Sequence, residues 1–129
     1  MPIDYEGRVF RPVGNSPNGE VNSATEFRYC QNGDLLTATY AGGGIRLGQM
    51  VGLVRADQSL WFAYQHLSDA GELRSGTCES TPELLPDGRV RLHERWRWTS
   101  GDRSAGESTI EEVHLPGGAM PAASIANVA

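Results

Sequence analysis

Cysteine and histidine are scarce in this sequence. Two cysteines and three histidines, widely separated along 129 residues, offer no metal-ligand spacing, no haem-attachment motif and no disulfide framework. No apolar run approaches the ~18 residues that a membrane-crossing helix needs. The start, MPIDYEGRVF, lacks the basic-then-apolar build of a signal peptide. Positive charge is in deficit: 11 Lys and Arg against 16 Asp and Glu leave a net charge of −5. That balance argues against nucleic acid or an anionic membrane surface as the main partner. Helical signals are missing as well, with no 3.6-residue apolar period and no capping box before an apolar run. Together these absences predict a cytoplasmic, reduced chain without metal or cofactor, and its length is that of a single domain.

What is present is turn chemistry at short, regular intervals: Asn32-Gly33, Gly42-Gly43-Gly44, Ala56-Asp57-Gln58, Asp69-Ala70-Gly71, Pro86-Asp87-Gly88 and Ser100-Gly101-Asp102. Between these points lie runs rich in β-branched and aromatic residues, such as TEFRYC, LWFAYQHL and VRLHERWRWT. Short strands at such spacing predict an all-β fold, an antiparallel up-and-down meander. Seven strands fit between about residues 25 and 113, and GRVFRPV (residues 7–13) supplies an eighth that closes the sheet into a barrel. Residues 14–24 read as a loop. The barrel domain spans residues 1–113, and residues 114–129 form a small-residue tail.

Opposite charges and large–small pairs specify the register. A three-residue loop at Ser100–Asp102 sets Arg95 against Glu107, Arg91 against Glu111 and Trp96 over Gly106. A loop at Pro86–Gly88 sets Glu83 against Arg91, Glu79 against Arg95, Trp98 opposite Gly76 and Trp96 opposite Cys78. A slip of one residue would bring Glu94 against Glu107 and lose these pairs. Extending the alternation around the sheet sends Phe27, Tyr40, Arg46, Met50, Phe62, Tyr64, His66, Arg74, Cys78, Glu94, Trp96, Trp98 and Ser108 inward. Aromatics facing glycines fill or partly hollow a tapering barrel, and eight strands leave room for side chains or one small ligand.

The strand ends sort into two rims. Tyr29, Leu36, Val54, Leu60, Val90 and Ile110 form an apolar plug at one, while Tyr40, Arg46, His66, Arg74, Trp98 and Ser104 gather at the other. A polar, locally positive mouth over an apolar floor suits a small, partly apolar molecule carrying a carboxylate or phosphate. Equally, Arg46 and Arg74 are rim residues snorkelling to water. Glu94 alternates in phase with Leu92 and Trp96, so it points inside near Ser80 and Ser108. A carboxyl buried beside tryptophans is pushed toward its neutral form, as a general acid requires. The plainer role is a structural strut, neutralised by Arg46 or Arg74 or bonded to the serines. His66 is a candidate proton shuttle or simply a rim histidine. Tyr40 and Tyr64 either orient a ligand or belong to the core. Cys78 faces in and Cys30 out, so the two do not pair, and a nucleophilic Cys78 would need His66 as its base. The glycines of YAGGGI are followed by a strand rather than a helix, so they read as a wide hairpin turn, a mobile lip over the mouth, and not as a phosphate cradle.

The outer face of the fourth and fifth strands carries Ile45, Leu47, Val51, Leu53, Trp61, Ala63 and Leu67, with Leu73 alongside. A patch of that size on a monomer is unusual. A homodimer burying it face to face is one explanation; an exchange of inside and outside in this part of the sheet, or cover by the tail, is another.

At GRVFRPV, GEVNSATEF, LLTATYAGGGI, CESTPELLPDGRVRLHERWRWTSGD and GESTIEEV, the chain resembles a family of small bacterial proteins often labelled N-acetylglutamate synthase. The resemblance covers about residues 5–113, and it carries over no catalytic residue. In architecture the barrel resembles the calycin class of lipocalins, avidins and fatty-acid-binding proteins, which implies a cavity for small apolar molecules. Three functions follow. The first is a binding barrel whose ligand passes Tyr40, Arg46, His66 and Arg74 and rests on Met50, Tyr64, Cys78, Trp96 and Trp98. The second is a cofactor-independent cyclase or isomerase in which Glu94, with His66, transfers a proton. The third is an interaction module with a filled core.

Overall fold

The computed structural model describes residues 3–15 and 21–113, so the expected tail at 114–129 lies outside the described residues. Among them, eight strands form one closed antiparallel barrel in the order of the chain: β1 (Val9–Asn15), β2 (Glu26–Asn32), β3 (Leu35–Gly42), β4 (Ile45–Val54), β5 (Leu60–Ser68), β6 (Leu73–Leu84), β7 (Val90–Trp98) and β8 (Ala105–Glu112). β1 closes the sheet by pairing with β8, Phe10 opposite Glu112 and Pro12 opposite Ile110. Closure leaves no edge strand with unpaired backbone groups. None of the described residues forms a helix, and none makes a helix long and apolar enough to cross a membrane.

The charge and size pairs set the register as the sequence requires. Arg91 faces Glu111, Arg95 faces Glu107 and Trp96 faces Gly106, while Glu83 faces Arg91, Glu79 faces Arg95 and Trp98 faces Gly76. Arg91 bonds Glu111 at 2.8 Å and Glu83 at 3.4 Å, whereas Glu79 turns to Arg55 at 2.8 Å. Pairs on the barrel surface are worth about 0.2–1 kcal/mol each. They choose between registers more than they hold the barrel together.

The stabilising mass is inside. Tyr5, Phe10, Tyr29, Leu36, Leu60, Val90, Leu92 and Ile110 are fully buried, each contributing about 1.5–3 kcal/mol by leaving water. Most of them plug one end, where Phe10 packs on Tyr29 with ring centroids 4.7 Å apart. Tyr5 seals that end from before β1: its hydroxyl donates to the Gln58 carbonyl at 2.9 Å, and its amide donates to Gln31 Oε1 at 2.9 Å. This clasp also holds Gln58 at a positive φ of 72°, a conformation uncommon for a residue with a side chain.

Two expectations fail in one place. Ile45 is buried and Arg46 exposed, the reverse of simple alternation. The cause is a register shift between Ile45 and Leu47 against β5, matched by another between Tyr40 and Gly42 against β3. An irregularity of this kind breaks the two-residue period and re-aims the side chains beside it. The Gly42–Ile45 connection is also tight rather than wide. Gly43 and Gly44 both have positive φ (65° and 99°), as two-residue hairpin turns require. It is tied down too: Asn22 Nδ2 donates to the Gly43 carbonyl at 3.0 Å and Thr25 Oγ1 to the Gly42 carbonyl at 2.9 Å.

Candidate functional site

Above the apolar plug the barrel is not filled. A cavity of about 50 Å³ is lined by Val21, Phe27, Tyr40, Met50, Phe62, Tyr64, His66, Cys78, Glu94, Trp96, Trp98 and Ser108. Glycines make the space. At Gly48 a Cβ would run into the Tyr40 ring, and at Gly76 into the Tyr64 hydroxyl. The rings therefore lie flat across the strands opposite and leave a hollow between them. Trp96 and Trp98 sit with centroids 5.6 Å apart, and Tyr64 and His66 meet Trp98 edge-on at 5.6 and 5.7 Å. Such tilted and edge arrangements suit aromatic quadrupoles, and they give the cavity fixed walls.

Glu94 enters this hollow from the middle of β7 and is only 7% exposed. Ser108 Oγ donates to its Oε1 at 2.8 Å and Ser80 Oγ to its Oε2 at a long 3.4 Å. Among the described residues no salt bridge reaches it. Burial pushes the carboxyl up from 4.5 to about 7, and the two serine hydrogen bonds only partly offset this. Of the plainer roles open to Glu94, the serine strut is present and neutralisation by arginine is not. Tyr29 lies close enough for the Glu94 charge to add to the burial that raises its own phenol well above the ordinary range. Its hydroxyl is the one buried side-chain polar atom with no hydrogen-bond partner among the described residues.

His66 is buried, not a surface histidine, and its Nδ1 shares a 2.8 Å hydrogen bond with the Tyr40 hydroxyl. Cys78 lines the cavity wall. Burial foremost, with the Glu94 charge second, drives its thiol well above the usual value, and the thiolate is the nucleophilic form. Arg74 lies against Trp98, its guanidinium carbon 4.1 Å from the ring centroid. Arg46 is exposed beside the β4 irregularity and does not line the cavity.

The structure thus brings Tyr40, Met50, Tyr64, His66, Cys78, Glu94, Trp96 and Trp98 around one space, with Arg74 on its Trp98 wall and Arg46 left out. The expected positive mouth is reduced accordingly. Phe27, Phe62 and Ser108 complete the lining at positions that alternation already turns inward. Val21 comes from the β1–β2 connection, where no strand period signals direction.

Outside the barrel a broad groove of about 700 Å³ runs across β2 to β6, past Cys30, Thr39, Val51, Ala63, Gln65 and Thr77. Leu47, Val51, Leu53, Trp61 and Leu73 are all exposed by more than two-fifths along this side.

A closed eight-stranded antiparallel barrel with an aromatic-lined interior defines a calycin-type protein. More narrowly, a profile described as avidin-like protein matches residues 3–113, and the chain belongs to that family. Avidin-like barrels bind small molecules such as biotin and often form oligomers. No curated protein and no solved structure matches the chain.

Proposed function

We propose that this protein is a small-molecule-binding barrel whose site is the cavity around Glu94. The ligand passes Tyr40, His66 and Arg74 and rests on Met50, Tyr64, Cys78, Trp96 and Trp98. The observation that carries this reading is a walled aromatic hollow with a polar group at its base, in a chain of the avidin-like family. Ligand sites have this composition: mostly apolar walls and a few placed polar groups. The hollow of about 50 Å³ selects a ligand, or a ligand portion, of few heavy atoms, well below the ~300 Å³ of larger sites. The anion first expected at the mouth loses half of its support with Arg46 facing away. Titrating the intrinsic tryptophan emission with small neutral and charged molecules tests the reading. A saturable change is expected, and no response to any of them would refute it.

A second reading is favoured by the placement of Glu94, buried in the cavity on two serine hydroxyls, where burial pushes its carboxyl up to about 7. A group so placed transfers protons efficiently near neutral pH, and His66 shares its cavity. As a cofactor-independent cyclase or isomerase, the protein would lose turnover by on the order of 10²–10⁴ in Glu94→Gln while still binding neutral ligands. The third reading, an interaction module, rests on the outer face. There we read a homodimer through Leu47, Val51, Leu53 and Trp61, with Ile45 removed from the interface because it is buried in the core. In Leu53→Asp/Trp61→Glu, light scattering after gel filtration should report a monomer, and a persistent dimer would exclude this face. The two free cysteines fit a reducing cytoplasmic compartment.

A further inference from the structure

Among the described residues the cavity wraps a single carboxylate, Glu94, in aromatic rings, and no lysine or arginine lines the space. Arg46 is exposed, and Arg74 is engaged with Trp98. A carboxylate buried among apolar groups is costly unless it is paired, and two serine hydroxyls supply no charge. The walls that enclose it are of the kind that attracts cations, because indole and phenol rings present a negative face. Arg74, 4.1 Å from the centre of the Trp98 ring, shows one of these rings already accepting a cation.

We propose that the cavity takes a small organic cation, an alkylammonium whose charge pairs with Glu94 and whose methyl groups lie against Trp96, Trp98, Tyr64 and Phe27. This rests on the cavity being a ligand site, and it goes further by fixing the charge of the ligand. A neutral molecule of the same shape gains the apolar contact but leaves Glu94 unpaired. An anion meets a like charge in a water-poor space, where repulsion is strong. The hollow of about 50 Å³ restricts the cation to few heavy atoms.

Binding should follow the ionisation of Glu94, strengthening as pH rises and fading on acidification. The groups facing Glu94 bear on this. Cys78 and Ser80 on β6 and Ser108 on β8 flank it, and Tyr29 on β2 lies near it. Tyr40 on β3 and Tyr64 and His66 on β5 share the cavity. Of these side chains only the His66 imidazole is of a kind that can carry positive charge, and in that form it would repel a cation in the same sense.

The test compares trimethylammonium with tert-butanol, a neutral molecule of similar shape, by tryptophan emission and calorimetry on the full chain. At pH 8 trimethylammonium should bind about tenfold tighter or more. That preference should shrink by pH 5.5, and below neutrality binding should release a proton. Glu94→Gln should bind both probes alike, with tert-butanol affinity retained as proof of an intact cavity. If that variant does not fold, proton release measured on the unmodified protein in two buffers decides the matter. Equal affinity for the two probes at pH 8 overturns the cation proposal and leaves the cavity as a ligand site. No response to either probe overturns both.

Discussion

Replacing Glu94 by glutamine removes a proton-binding group that the folded and unfolded chains hold with different strength. In the unfolded chain the carboxyl titrates near 4.5, and in the barrel burial pushes it up to about 7. A group whose folded value lies above its unfolded one contributes stability that is complete below pH 4.5. That stability is lost as pH rises through the folded value, because the folded state then holds back a proton the unfolded state has released. The gap between 4.5 and about 7, at 1.36 kcal/mol for each unit of pH, makes the loss about 3 kcal/mol between pH 4 and pH 8. Glutamine keeps the shape and a hydrogen-bonding end but does not titrate. The stability of Glu94→Gln minus that of the parent protein should therefore climb by about 3 kcal/mol over this range. Urea unfolding of both proteins at half-unit intervals of pH measures the difference, and subtraction cancels every other titrating group. Parallel stability curves would show instead that Glu94 is as well solvated in the barrel as in the unfolded chain.

Two further outcomes follow from the packing. Gly76→Ala should lower stability by about 1–3 kcal/mol and weaken ligand binding, because the new methyl meets the Tyr64 hydroxyl and stands 2.5 Å from the Arg97 carbonyl oxygen; thermal unfolding measures the first effect and tryptophan titration the second. Tyr29→Phe removes a buried hydroxyl without a partner among the described residues, so it should leave stability unchanged or raise it by about 1 kcal/mol, whereas a loss of that size would show that the hydroxyl is bonded after all, for instance to a buried water.

How much of this could be read from the sequence depends on whether each feature obeys the two-residue period. Along β6, β7 and β8 it does. Arg91, Arg95, Trp96 and Trp98 each meet the partner that charge or size selects, so the inward position of Glu94 follows from its neighbours alone. At the start of β4 the period breaks. The irregularity that buries Ile45 and exposes Arg46 lies beside the Gly42–Gly44 turn, which Asn22 and Thr25 anchor through contacts between residues far apart in the chain. The same holds for Tyr5 and Val21. Neither lies in a strand, and both are drawn inward by tertiary packing that local propensity does not record. The strand GRVFRPV illustrates a milder error. It exists and closes the barrel, but it runs from Val9 to Asn15, two residues later than the 7–13 expected, so Gly14 and Asn15 belong to the strand and not to the loop. The burial of His66 follows from alternation, but its bond to Tyr40 depends on Gly48 making room for the Tyr40 ring.

Small molecules should bind inside the barrel and not in its broader outer groove, and backbone and indole NMR during a titration with tert-butanol separates the two. Saturable shifts at Trp96, Trp98, Met50 and Ser108 from one binding event are expected. Shifts confined to Thr39, Gln65 and Thr77, with the Trp96 and Trp98 indoles unmoved, would place the ligand outside and overturn the proposed site.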